Sequence, residues 1–207
     1  MFYKVRQYRR LIRIFNFVNV IYDIGKLSSD IQKIQAKRIL ILSKACYVIY
    51  FIFDNFLVVM MTINNIHPKD VRFNRRFILT WKIGYLCYTL GVCFSLLFYG
   101  LQLQYSYRKE KGLLTCFVDN FKPKEILQVL NDLSRERWLL YFNIAKLVPD
   151  FFLGIHYSST SEILFNTRIK KMFLGFCGTV SSVAELFAKG NFSDGYELNE
   201  LVLKLTD

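Results

Sequence analysis

Hydrophobic positions recur along this chain in two ways, as one face of a helix and as long unbroken runs. At 100° per residue, Tyr8, Leu11, Ile12, Phe15, Val18 and Tyr22 gather on one side of residues 6–22, with Arg6, Arg9, Arg10 and Arg13 opposite. No acid precedes Asp23. The spacing predicts an amphipathic helix lying in the membrane interface, apolar face shallowly buried and arginines at lipid phosphates. Each basic group contributes about 1 kcal/mol near an anionic surface, so four give roughly 4 kcal/mol before salt screening. Phe17 falls on the basic side. The same pattern also fits a helix packed inside the protein, or an arginine-rich mitochondrial presequence.

The unbroken runs predict helices of a different kind. Residues 83–107 are 25 consecutive uncharged residues, which as a helix reach about 37 Å against a hydrocarbon core of about 30 Å. Trp81 at one end and Tyr105 with Tyr107 at the other suit the two interfaces. This is the main transmembrane expectation. The block from Ala45 to Ile63 is nearly as apolar, but Asp54 and Asn55 lie inside it, and a carboxylate at mid-bilayer costs about 2.5 to 3.5 kcal/mol. It is expected to lie against protein or at the interface rather than to cross. Residues 172–188 form a shorter apolar stretch, a second candidate span, in which Gly175, Gly178, Thr179, Ser181 and Ser182 make a small-residue stripe suited to helix packing or oligomerisation.

Between these runs, residues 108–122 read as an exposed connector, and Pro123 suits the first turn of a helix. Pro149 is expected to kink or interrupt that helix. Residues 189–207 turn acidic and read as a C-terminal tail. The expectation is therefore an all-α membrane protein: an interfacial amphipathic N-terminal helix plus a bundle of long helices with one or two transmembrane spans, forming a single domain over residues 1–188.

Composition narrows the function classes. The chain is 53% hydrophobic and 17% aromatic with a mean hydropathy of +0.25, yet carries a net charge of +12. Apolar segments flanked by lysine and arginine read as membrane-associated, with anionic lipid as partner. A nucleic-acid partner is not expected, because such proteins carry their charge on a compact polar domain. Five cysteines without a CxxC pair, and two histidines, suggest neither a metal site nor a disulfide framework. No nucleophile elbow or phosphate-binding loop occurs, so neither catalysis nor a cofactor is expected.

Four stretches, in order, resemble the peroxin-11 family: QYRRLIRIFNFVNVIYDI, YVIYFIFDNFLVVMM with its Asp54-Asn55 pair, LLYFNIAKLVPDFFLGIHY with Lys146 and Asp150, and LGFCGTVSSVAELF with Gly175, Gly178, Ser181 and Ser182. The resemblance implies an integral protein of the peroxisomal membrane, glycosomal in some protists, acting in elongation, proliferation and division. It also implies self-association and partnership with a fission adaptor and a dynamin-related GTPase. Asp54, Asn55, Lys146 and Asp150 read as buried polar residues that fix helix packing; the alternative is that they line a pore for small metabolites.

Overall fold

The computed structural model describes residues 18–22, 24, 35–63, 75–116, 123–165 and 169–192. Among these the chain is helical with no strand: α1 (Gln35–Ile63), α2 (Arg75–Cys116), α3 (Pro123–Tyr157), the short α4 (Thr160–Phe165) and α5 (Lys171–Phe192). An all-α membrane protein is what the sequence pattern predicts.

Heptad-like spacing explains how the helices pair. On α1 the buried positions Leu40, Ser43, Tyr50, Asp54 and Leu57 fall at steps of three, four or seven residues, which places them on one stripe. α2 answers with Gly84, Gly91, Ser95 and Phe98, and α5 carries its own stripe of Leu174, Cys177, Ser181 and Ala184. The substantial interfaces are α1 on α2, α2 on α3 and α3 on α5. Partners run antiparallel: Phe53 meets Gly84 while Ser43 meets Gly91, and Thr89 meets Gly154 while Glu110 pairs with Arg137. The long helices thus form a row with α2 and α3 at its centre.

Three described helical stretches are long and apolar enough to cross a membrane: Arg38–Met60, Phe77–Gly112 and Leu127–Tyr157. The expected span 83–107 lies within the second. The first and third exceed the one or two spans expected, and the reason is where their charges point. Asp54 is only 5% exposed, turned into the protein rather than toward lipid, so it does not bar α1 from crossing. Lys146 and Asp150 on α3 are likewise engaged by α5. Residues 172–188 are helical within α5 but are not among the three stretches.

Two local expectations are corrected. The segment 108–122 is not a connector throughout, because α2 continues to Cys116. Nor does Pro149 interrupt α3, which runs through it to Tyr157. The missing amide costs one hydrogen bond to the preceding turn, and a helix packed on both sides can absorb that. α3 ends instead at Tyr157, two residues before Ser159, whose left-handed backbone (φ 61°) stops the helix. There Ser158 donates to the Ile155 carbonyl, and its amide reaches the Gly154 carbonyl at 3.0 Å.

Candidate functional site: a polar seam inside an apolar row

The polar residues singled out in the third and fourth motifs meet face to face. Lys146 and Asp150 are one turn apart on α3; Ser181 and Glu185 are one turn apart on α5. Because the helices are antiparallel, the two pairs register. The Lys146 ammonium lies 3.3 Å from Glu185, and Ser181 donates to the Asp150 carboxylate at 2.7 Å. Tyr88 of α2 also hydrogen-bonds Asp150, so the carboxylate ties three helices together.

A second polar knot joins α1 to α2. Ser43, fully buried, donates to the Gly91 carbonyl at 2.8 Å and lies 2.6 Å from the Ser95 hydroxyl. Hydroxyls held this way satisfy each other where no water reaches. Asp54 is buried on the same face of α1 and Asn55 beside it is half-buried. Beside them in the chain, Phe53 packs its Cβ 3.2 Å from the position a side chain on Gly84 would take.

The small-residue stripe on α5 divides. Ser181 faces α3, whereas Gly175, Thr179 and Ser182 are exposed and Gly178 has open space around it. Thr179 and Ser182 return their hydroxyls to the carbonyls of Gly175 and Gly178, at 3.0 and 2.9 Å, which leaves that face without a free polar group of theirs. Arg6, Tyr8, Arg9, Arg10, Leu11, Ile12, Arg13 and Phe15 lie outside the described residues; of the same set, Val18 and Tyr22 are helical and exposed.

Sequence reading missed Ser43, Ser95, Tyr88, Glu185 and the Arg137–Glu110 pair. Glu185 was recoverable: its four-residue spacing from Ser181 mirrors that of Lys146 and Asp150. Single serines inside apolar runs offer no comparable signal.

The family model for peroxisomal biogenesis factor 11 (PEX11) matches residues 2–188. The chain belongs to this family. No curated protein and no solved structure matches it. As a PEX11-family member it is a peroxisome-related membrane protein, and the matched segment takes in α1 to α4 and all but the last turn of α5. Both polar knots and the open face of α5 thus lie in the part of the chain that carries the family likeness.

Proposed function

We propose that this PEX11-family chain is an integral protein of the peroxisomal membrane that promotes elongation, proliferation and fission of peroxisomes, acting mechanically rather than as a catalyst. The observation that carries the reading is the family match over residues 2–188 on a row of helices whose outer surface is apolar, with Ile52, Leu79, Leu97, Phe176 and Leu186 each more than half exposed. Side chains of that kind are at home against acyl chains.

The anchored row would hold the helix of residues 6–22 at one leaflet, where insertion as a wedge expands that side and favours curvature. Many copies are needed to bend a membrane. Self-association through the open face of α5, at Gly175, Gly178, Thr179 and Ser182, would concentrate wedges and present a platform to a fission adaptor and a dynamin-related GTPase. The internal pairing of Lys146 with Glu185 and of Asp150 with Ser181 supports this reading over a metabolite pore, since those groups are spent on holding one chain together.

The test is tubulation of anionic liposomes by the peptide of residues 6–22. Replacing Arg9, Arg10 and Arg13 with glutamate is expected to abolish it. Unchanged tubulation by the substituted peptide would remove the wedge from the account.

A further inference from the structure

The chain has two tryptophans, Trp81 and Trp138, and the antiparallel packing of α2 on α3 sets them at two well-separated levels of the pair. Each stands among tyrosines. The Trp81 ring lies 5.2 Å from Tyr85 and 6.5 Å from Tyr157, and those two tyrosines are 4.9 Å apart. At the other level Trp138 lies 6.1 Å from Tyr141, whose hydroxyl is 2.5 Å from that of Tyr107. Trp138, Tyr141, Tyr105, Tyr107 and Tyr157 are all exposed. An exposed ring with an apolar body and a polar tip is most stable at headgroup level.

The spacing fits a bilayer. Trp81 and Tyr107 are 26 residues apart on α2, about 39 Å, and Trp138 and Tyr157 are 19 apart on α3, about 28 Å. The hydrocarbon core is about 30 Å thick, and about 40 to 45 Å with its headgroups.

Exposed charge obeys the same limits on both helices. Between the two levels α2 exposes Lys82, directly beside Trp81 at the first level, then Ile83, Leu86, Leu90, Leu97 and Leu101 with no further charged residue, and α3 exposes Tyr141, Ala145 and Val148. Lys146 and Asp150 lie in that interval but are engaged by α5. Outside it, Arg75 precedes the first level, while Arg108, Lys109, Lys111, Asp132 and Arg135 are exposed beyond the second. Arg38 on α1 is exposed inside the interval; helical side chains lean toward the helix N-terminus, which for α1 is the direction of the Tyr107 edge, and a long arginine can snorkel that way. Lys44 is half-buried and engaged within the protein.

We propose that the two aromatic clusters mark the two faces of the bilayer, so that residues 108–116 and 123–137 stand outside it as a helical hairpin. The proposal rests on the integral insertion proposed above. The hairpin is pinned where it leaves the membrane: Arg137 pairs with Glu110 and sits 5.0 Å over the Tyr107 ring, a cation held by a carboxylate and a π face at once. Along α3 the projecting part is about 21 Å long, enough to clear the headgroups.

Trp81→Phe and Trp138→Phe each leave one fluorophore. The full chain is reconstituted in phosphatidylcholine–phosphatidylglycerol vesicles whose acyl chains carry bromine either close to the headgroup or close to the methyl end. Each remaining tryptophan is expected to be quenched roughly twofold more by the shallow bromine than by the deep one, as belt residues would be. Equal or stronger quenching by the deep label at either tryptophan, or no quenching by either label, overturns the proposal. Asn131→Cys supplies a second readout: in freeze–thawed vesicles it is expected to gain labelling by a membrane-impermeant maleimide over the parent chain, and Leu97→Cys is not. The reverse pattern also overturns it. Alkaline carbonate separates the two readings: a chain extracted from the vesicles refutes integral insertion itself, whereas a retained chain with deep quenching refutes only the placement of the bilayer faces.

Discussion

Glycine does opposite things at the two sides of this row of helices. In the interfaces of α2, glycines are points of contact. A Cβ on Gly154 would come within 2.5 Å of the Thr89 hydroxyl, and one on Gly91 within 3.3 Å of the Ser43 carbonyl oxygen. On α5, Gly175 and Gly178 face space with nothing within 4 Å. The same residue type lets two helices of one chain approach in the first region and leaves a smooth outer surface in the second. A small-residue stripe therefore shows that close approach is allowed, and the fold shows where it has been used.

The comparison breaks most sharply at Gly154→Val. Thr89 cannot rotate away without losing its 2.8 Å bond to the Tyr85 carbonyl, so overpacking is expected to cost about 3 kcal/mol. Thermal unfolding in detergent micelles should show a clear loss; an unchanged midpoint would mean that α2 and α3 are not in this register. Ser43→Ala removes one partner of a buried hydroxyl pair and one donor to Gly91, for an expected cost of about 1 kcal/mol in the same assay. Lys146→Met keeps the stem and deletes the charge. Since its side chain and that of Glu185 are 34% and 41% exposed, the loss should stay below about 1 kcal/mol. Smallest in the monomer is Gly178→Ala, where better helix propensity should stabilise by a few tenths to about 1 kcal/mol. The same substitution should weaken cross-linking between copies if the open face is where they meet. A destabilisation as large as that of Gly154→Val would erase the difference between the two regions.

Much of this was legible in the sequence. Long apolar runs announced helices, the uncharged stretch of residues 83–107 fell inside a membrane-length helix, and Lys146, Asp150 and Ser181 proved to share one interface. What could not be read was direction. Asp54 counted against a span for α1 because a linear pattern assigns a charge a depth but not a face; folded, it points into the protein. The partners Ser43 and Ser95, 52 positions apart, meet only because α1 and α2 are antiparallel and staggered as they are. Residues 108–116 looked like a connector for their charge, yet Glu110 found Arg137 across the hairpin and the helix continued.

Deformation of the organelle by the arginine face of residues 6–22 is the central claim, and peroxisome morphology tests it most directly. Full-length chain and its Arg9, Arg10, Arg13→Glu variant are expressed at matched levels in cells with fluorescent peroxisomes. The account predicts that both reach the peroxisomal membrane, and that only the unsubstituted chain elongates the organelles and raises their number. Equal elongation and proliferation by the variant, or none by the unsubstituted chain at its membrane, would contradict it.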